Sequence, residues 1–412
     1  MTSERTAGER IFDEDFFADP YKQYAKIHAE GCPVRRVETP EGVPAWFVTE
    51  HEAVRSGLKD QRLSRRLAHA GPEYRRAPYP VEFLANSVVT EDPPEHTRLR
   101  RMLNQAFSPR SIRTLRPRIE KLAEELVDRI SENIERDGSA DLVADLAVPL
   151  PITVIAELLG VPLDRRAEFR RWGDGMLSLV PEEQAESGAA MLAFLTELIR
   201  AKAAEPGDDM LSYWISTRDE DGGLLEPKEV IGLAMVMLVG GYDTSVGMIA
   251  ATLLGLLADQ EKFAELMDDP SLLPDVVEEF LRLYGTVHTG VRRFATEPIT
   301  LAGQEIAQGD TVLLSIAAAD RDPERYPAPD AVDFGRPSNR AHLAFGMGPH
   351  VCPGNELARM EISIAVETLL RRMKGLRLTV EPDEIPWRRA YFIRIPLRLP
   401  VTLTTHEGGE DD

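Results

Sequence analysis

The hydrophobic pattern along the chain is mainly helical. Apolar residues recur at helical spacing in several segments, and we predict helices over residues 93–107, 110–135, 151–159, 163–179, 183–204, 271–284 and 355–373. Residues 227–259 stay apolar along nearly their whole length, so at ~1.5 Å per residue they predict a helix of roughly 50 Å that crosses the core. β-type alternation, broken by glycine and proline, predicts strands within residues 43–50, 298–316 and 376–404. The pattern therefore predicts a mainly α protein with small sheets.

Composition and charge narrow the class of protein. With 48 Lys and Arg against 69 Asp and Glu in 412 residues, the net charge is −21, which argues against nucleic-acid binding. An apolar fraction of 43% is enough for a hydrophobic core. The two cysteines, Cys32 and Cys352, are too few for a disulfide framework or a four-cysteine zinc site. These features indicate a globular protein of a reducing compartment.

The chain ends and the apolar runs bear on organisation and location. The polar residues 1–10 show no secretory signal and predict a flexible tail, and residues 406–412 predict an acidic tail. Between them, residues 11–405 contain no linker long enough to separate two domains, so we predict a single domain. The longest apolar stretch, residues 231–239, is about half the ~20 residues of a bilayer span. We therefore expect a cytoplasmic protein with no membrane span.

A glycine-rich loop surrounds the second cysteine. Gly346, Gly348 and Gly354 flank Cys352 directly before a predicted helix, and His350 lies in the same loop. Glycine allows close approach of the backbone to a ligand, while loop N–H groups and a helix N-terminus lower the pKa of a thiol. A thiolate here is a nucleophile or a metal ligand. The alternative is a buried free cysteine beside an ordinary turn.

The long apolar helix has a polar interruption at its middle. Gly240 and Gly241 each cost about 1 kcal/mol relative to alanine in a helix interior, and Asp243 must lose its hydration there. We infer that the missing side chains open a groove for a flat ligand, with Asp243 and Thr244 as a proton relay beside it. The alternative is a helix kink with a satisfied polar pair.

Further motifs complete a family pattern. Glu279 and Arg282, one helical turn apart, are by themselves an ordinary acid–base pair. Together with the Cys352 loop, which matches F-G-x-G-x-H-x-C-x-G, and the long-helix motif A/G-G-x-D/E-T, they resemble the cytochrome P-450 superfamily, whose third motif is E-x-x-R. Arg336 matches the arginine that completes the E-x-x-R network, and residues 92–101 match the helix that faces the haem propionates. The resemblance covers residues 19–403 and is to soluble bacterial, actinomycete-type members.

The resemblance implies a fold and a cofactor. The fold is a triangular helical prism with a long central helix and small β-sheets. The cofactor is haem b, with Cys352 as the metal ligand. The other residues implied in cofactor binding are His96, Arg100, Arg293, His350, Phe345, Gly346, Gly240 and Gly241. Glu279, Arg282 and Arg336 would form a buried structural network. Pro353 departs from the family pattern, and since proline has no N–H to donate to the thiolate, we expect an altered iron potential.

The activity implied by the resemblance is monooxygenation, either hydroxylation or epoxidation, of a hydrophobic small molecule. Natural-product tailoring, for example of a polyketide or macrolide, is the leading prediction. Thr244 would hydrogen-bond dioxygen and Asp243 would help to deliver protons, so these two are the implied catalytic residues. Candidate residues of the substrate pocket are Phe83, Val88, Leu177, Val239, Val287, Val291 and Phe392. Arg65 and three other arginines before His96 predict exposed loop positions or a site for a carboxylated or carrier-bound substrate.

Electrons must come from another protein, because the chain carries no flavin or iron–sulfur motif. The resemblance implies NAD(P)H as their source, a ferredoxin and its reductase as carriers, and a monomeric enzyme. Residues 98–118 lack Asp and Glu and contain Arg98, Arg100, Arg101, Arg110, Arg113, Arg116 and Arg118. This segment predicts either a docking surface for an acidic ferredoxin or an ordinary solvated basic helix.

Three other functions fit part of the pattern. The first is a peroxide-driven haem enzyme without a redox partner, although it would need no oxygen-activating relay at Asp243 and Thr244. The second is a non-catalytic accessory protein with the same fold, against which both Cys352 and Thr244 argue. The third ignores the family pattern and is a cysteine hydrolase that uses His350 or His342 as its base.

Overall fold

The computed structural model describes residues 8–74, 87–176, 178, 180–218, 222–337 and 339–404. In this part of the chain the α-helices are α1 (Glu14–Ala18), α2 (Pro20–Ala29), α3 (His51–Lys59), α4 (Glu95–Ala106), α5 (Pro109–Asp137), α6 (Pro149–Leu158), α7 (Arg166–Met176), α8 (Pro181–Ala204), α9 (Met210–Ser216), α10 (Pro227–Ala258), α11 (Gln260–Asp268), α12 (Leu273–Tyr284), α13 (Ile316–Ala319) and α14 (Asn355–Arg372). The predicted helices are thus found, with ends that differ by a few residues.

The long predicted helix is α10, and it forms the centre of the molecule. It begins with proline at its first position and a capping box between Glu226 and Glu229, which satisfies N–H groups that have no partner within the helix. It packs against α6, α8, α12 and α14, and most buried apolar side chains lie in one cluster around it. Among the described helices, α10 alone is long and apolar enough to cross a membrane, yet 78% of its apolar window is buried in protein. That burial is typical of a core helix.

Small sheets lie beside this helical core. The strands are β1 (Val34–Glu38), β2 (Pro44–Val48), β3 (Leu63–Ser64), β4 (Ala140–Asp141), β5 (Arg293–Ala295), β6 (Ile299–Leu301), β7 (Gln304–Ile306), β8 (Thr311–Leu314), β9 (Leu376–Leu378) and β10 (Pro400–Leu403). They form a five-stranded sheet in the order β1-β2-β8-β5-β3, a three-stranded sheet β4-β10-β9 and the hairpin β6-β7. Within the five-stranded sheet, β2 and β8 are parallel and the other pairs are antiparallel.

Two predicted regions differ in extent from the structure. The segment 376–404 forms only β9 and β10 with isolated bridges between them. Prolines within it, such as Pro386 and Pro396, cannot donate to a strand ladder, which explains why longer strands do not form. The tail predicted over residues 1–10 is ordered at its described end, because the Glu9 N–H donates to the Arg36 carbonyl (3.0 Å). Residues 406–412 lie outside the described residues.

Candidate active site

The cysteine loop has a tightly bonded backbone. Gly346 and Gly348 adopt left-handed φ values of 68° and 75°, which side chains with a Cβ rarely adopt. The Cys352 N–H donates to the Phe345 carbonyl (2.8 Å), and the Asn355 amide donates to the Cys352 carbonyl (2.8 Å). These bonds close the loop over residues 345–355 and fix the direction of the cysteine side chain.

The electrostatics of Cys352 differ from the prediction. Burial raises the pKa of the thiol, whereas a hydrogen bond from the Gly354 N–H and the charges of Arg100 and Arg359 lower it. Because burial is the largest of these effects, the predicted net lowering of the thiol pKa is wrong for the protein without its cofactor. The Gly354 N–H supplies a backbone hydrogen bond that Pro353 cannot.

A cavity of about 630 Å³ separates the cysteine loop from α10. On the loop side it is lined by Phe345, Gly346, His350 and Cys352, and on the helix side by Val239, Gly240, Gly241 and Thr244. A Cβ added at Gly240 would meet nothing within 4 Å, so the helix is open to the cavity there. At Gly241 it would lie 3.3 Å from Ile155. The predicted groove is therefore present, and Gly240 rather than Gly241 accounts for its width.

The predicted substrate-pocket residues have different outcomes. Val239, Val287, Val291 and Phe392 line this cavity. Val88 does not, because its side chain is buried in the main core, and Val89 and Thr90 line the cavity in its place. Phe83 and Leu177 lie outside the described residues. The lining is mostly apolar, which suits a hydrophobic ligand.

Basic side chains meet next to the cavity: His350 lines it, whereas His96 and Arg100 line a second cavity together with Pro349. The predicted set of His96, Arg100, Arg293 and His350 lies together, and burial, followed by the charges of its neighbours, lowers the pKa of His350. The rings of His96 and His350 are 4.1 Å apart between centroids. Burial and the neighbouring arginines lower the pKa of His96 to about 4, and burial lowers that of Arg293 to about 10. The arginines of this set stay charged, and their closeness favours binding of an anion.

Arg65 is a member of this basic cluster that the sequence analysis missed. The sequence predicts for it either an exposed loop position or a site for a carboxylated substrate; in the structure it lines the cavity, and its Nη1 donates to the Val89 carbonyl (3.1 Å). Burial and the charge of Arg293 lower the pKa of its guanidinium. No spacing rule links Arg65 to His96 or Cys352, so only the fold could reveal this contact.

The two residues of the predicted proton relay lie on different sides of the cavity wall. The Thr244 hydroxyl lines the cavity and donates to the Gly240 carbonyl (2.6 Å). Asp243 lies behind the wall, where it is buried and accepts a hydrogen bond from Arg388. Burial raises the pKa of the Asp243 carboxyl, and the charge of Arg388 opposes that shift. Arg388 itself lines the cavity.

A second carboxyl group next to the relay was also missed. Glu361, on α14, lines the cavity and accepts a hydrogen bond from the Ser245 hydroxyl (2.8 Å). Burial raises the pKa of Glu361 to about 8. Its place on the helix that follows Cys352 was the only signal in the sequence, and that signal does not distinguish a buried glutamate from an exposed one.

The structure brings Glu279, Arg282 and Arg336 together in the core. Arg282 forms a two-point ion pair with Glu279 (2.9 and 2.8 Å), and Arg336 Nε donates to the same carboxylate (3.1 Å). All three side chains are buried, and the arginines also bind backbone carbonyls of residues 320–331. This network ties α12 to the segment that leads into the cysteine loop.

Comparison with known proteins identifies the family. The cytochrome P450 family profile matches residues 17–203 and 182–396. The chain belongs to the cytochrome P450 family. It is 42% identical over 395 residues to the cytochrome P450 monooxygenase PikC of Streptomyces venezuelae, covering 94% of this chain and 92% of that one. It is 39% identical over 373 residues to the mycinamicin IV hydroxylase/epoxidase of Micromonospora griseorubida, covering 90% and 92%.

The fold agrees with that membership. The structure of the polyketide synthase P450 PksS of Bacillus subtilis superposes with a TM-score of 0.87 at 32% identity, covering 95% of this chain and 99% of that one. The predicted fold class, a mainly α P450 fold with small sheets, is confirmed. So is the prediction of a haem-dependent monooxygenase that receives electrons from external redox partners. The cysteine hydrolase alternative is wrong, and His342 instead bonds to Glu278 (3.0 Å).

The residues present fit the P450 cofactor, haem b, which carries two carboxylates on one edge. Within the described part of the chain, both ring nitrogens of His96 are buried without a hydrogen-bond partner, as are the Nε atoms of Arg65 and Arg293. Buried polar atoms are normally satisfied, so these orphaned atoms, among them the two arginine Nε–H donors, point to an anionic group. They lie beside a loop that presents one thiol to the same cavity.

Proposed function

We propose that this P450 inserts one atom of dioxygen into a polyketide or macrolide, with Cys352 as the thiolate ligand of the haem iron. The observation that carries the proposal is that Cys352 lines one apolar cavity together with Arg65 and His350, two members of the basic cluster. A thiolate favours O–O bond cleavage by donating electron density to the metal, and that is the chemistry the haem supplies when bound.

The cofactor would be held by residues on three segments. His96 and Arg100 from α4, Arg65 and Arg293 from the five-stranded sheet region, and His350 from the cysteine loop would pair with its carboxylates. Phe345, Gly346, Gly240 and Gly241 would lie against its two faces, where absent or flat side chains leave room.

Thr244, Asp243 and Glu361 would handle protons. The Thr244 hydroxyl donates to the Gly240 carbonyl, so its oxygen is available to accept a hydrogen bond from a water molecule in the cavity. Asp243 Oδ2 is held by Arg388, and release of that contact would let the carboxyl exchange a proton with the relay. Glu361 is protonated near neutral pH because its pKa is about 8, so it is a second proton donor, through Ser245.

The proposed substrate class rests on the cavity and on the relatives. The lining is mostly apolar at Val239, Val287, Val291 and Phe392. The names of the relatives describe hydroxylation and epoxidation of mycinamicin IV and polyketide biosynthesis. An apolar cavity in a protein similar to these fits a large, weakly polar polyketide product.

We also propose a ferredoxin and its NAD(P)H-dependent reductase as electron donors to a cytoplasmic monomer. The structure reduces the predicted basic surface, because Arg98 pairs with Glu229, Arg116 with Glu120 (3.2 Å) and Arg118 with Glu157 (2.8 Å). Arg100 belongs to the basic cluster, and its Nε donates to Asn104 Oδ1 (2.9 Å). Arg110 and Arg113, which are exposed at the start of α5, are the arginines best placed to meet an acidic partner.

The proposal can be tested by spectroscopy and product analysis. Purified protein reduced under carbon monoxide should show the red-shifted Soret band of thiolate ligation, and Cys352→His should retain haem but lose that band. A panel of macrolides and linear polyketides should then be screened for a Soret spin-state shift, with fatty acids as comparison. A product carrying one atom from isotopically labelled dioxygen would support the activity. A carbon monoxide spectrum typical of nitrogen ligation in the wild type would overturn the assignment of Cys352 as the iron ligand.

A further inference from the structure

Arg359 joins the cysteine loop to a buried carboxylate. It lies on α14, and its Nε and Nη2 donate to the two carboxylate oxygens of Glu278 (2.5 and 3.1 Å). The Glu278 side chain is 5% exposed and accepts a third hydrogen bond from His342 Nε2 (3.0 Å). These partners hold the pKa of Glu278 at about 2, so the carboxylate is charged throughout the physiological range.

The same guanidinium contacts both ends of the loop. Its carbon lies 4.5 Å from the centroid of the Phe345 ring, a cation–π distance. Its Nη1 donates to Asn355 Oδ1 (3.0 Å), and the Asn355 amide donates to the Cys352 carbonyl (2.8 Å). At the far end of the bridge, His342 Nδ1 accepts from the Ala344 N–H (3.2 Å). One ion pair therefore fixes the segments before and after Cys352.

We propose that Arg359 is a positioning residue for Cys352, which holds the cysteine loop closed and sets a positive charge beside that loop. The proposal rests on the proposed role of Cys352 as the iron ligand. Arginine stays charged at all accessible pH values, and the Arg359 side chain is only 30% exposed, so its charge is partly shielded from solvent. Glu278 partly neutralises the charge of Arg359 and thereby limits its electrostatic effect on the cysteine loop.

The charge argument predicts opposite effects of two substitutions that each remove one charge. Reduction of the bound haem adds an electron next to the thiolate, so a nearby positive charge favours the reduced state. Arg359→Gln removes the positive charge and should lower the midpoint potential of the ferric/ferrous couple. Glu278→Gln removes the compensating negative charge and should raise it. A purely structural role would move both potentials in the same direction or in neither.

The experiment is spectroelectrochemical titration of the purified holoenzymes, with haem transfer to excess apomyoglobin as a second readout. Arg359→Lys keeps the charge but not the two-point geometry, so it should keep a potential near that of the wild type and lose haem faster. Arg372→Gln, at the exposed end of the same helix, where Arg372 pairs with Glu124 and Asp128, is the matched control and should change neither quantity.

The outcomes separate this inference from the proposed function. Opposite shifts for the two glutamine variants support it. Unchanged potentials, or shifts of the same sign, would overturn it while leaving a thiolate carbonyl spectrum intact. If Arg359→Gln yields no holoprotein, Glu278→Gln and Arg359→Lys still test the proposal. A midpoint potential that does not rise in Glu278→Gln contradicts the charge argument. A wild type without a thiolate spectrum would instead refute the ligand assignment.

Discussion

At the scale of single residues, burial sets the protonation of the cavity wall. It raises the pKa of the carboxyl groups of Asp243 and Glu361 and lowers that of the His96 imidazole to about 4. All three therefore shift toward the neutral form, as expected for groups removed from water. The arginines of the basic cluster keep their charge. The site thus combines neutral proton carriers on one side with fixed cations on the other.

Thr244→Ala should uncouple electron consumption from product formation. The hydroxyl is the polar group of α10 that lines the cavity next to Gly240, and alanine removes both its donor and its acceptor. Haem content and substrate-induced spin shift should stay near those of the wild type, while product per NAD(P)H falls several-fold and peroxide rises. Thr244→Ser, which retains the hydroxyl, is the control. Equal coupling in the alanine variant would remove Thr244 from the relay.

Glu361→Gln should change how stability depends on pH. The pKa of Glu361 is about 8 in the folded protein against an ordinary 4.5, so the folded state binds more protons between these values. Its stability must then fall as the pH rises through that window. Glutamine keeps the shape of the side chain and has no proton to lose. As the pH increases, the thermal midpoint of the variant should therefore rise relative to that of the wild type. A constant difference across the window would show that Glu361 is not buried as described.

At the scale of elements, α10 carries glycines of two kinds. Gly240 opens onto the cavity, whereas a Cβ at Gly255 would overlap the Phe280 ring of α12. The first glycine provides space for a ligand, and the second allows two helices to approach closely. The same helix therefore has a glycine at its middle that leaves space for a ligand and another near its end that allows close packing against α12.

Alanine substitutions should separate these two roles. Gly255→Ala should destabilise the protein by about 1–3 kcal/mol, because the added methyl overpacks the contact with α12. Gly240→Ala should leave the unfolding midpoint of haem-free protein unchanged or slightly higher, since alanine favours helix by up to about 1 kcal/mol. It should instead weaken binding of ligands in the cavity. Chemical unfolding and spectral titration of both variants measure this difference, and a larger stability loss at Gly240 would contradict it.

At the scale of the whole molecule, the sequence predicts motifs within one short segment but not contacts between distant segments. The Cys352 loop, the Gly240–Thr244 motif and the Glu279–Arg282 pair each lie within one short segment, so their spacing was sufficient to predict them. Arg388 and Asp243, which are hydrogen-bonded, are 145 residues apart in the sequence. Arg65 likewise lies in space near His350 of the cysteine loop, far from it in the sequence. Such partners depend on how the late turn and the sheet pack against α10. No periodicity in the sequence encodes that packing.

The same distinction applies to the docking surface, where ion pairs engage Arg98, Arg116 and Arg118 while Arg110 and Arg113 are exposed at the start of α5. Arg110→Glu combined with Arg113→Glu should slow reduction by an acidic ferredoxin at low salt by roughly tenfold or more, because electrostatic steering raises association rates by such factors. The salt dependence of the rate should flatten as well. Stopped-flow reduction under carbon monoxide measures both, and dithionite reduction should be unaffected. Arg136→Glu, at the opposite end of α5 and roughly 35–40 Å away at ~1.5 Å per residue, is the control. If the rate of reduction by ferredoxin keeps its dependence on salt concentration in the double variant, the docking surface must lie elsewhere.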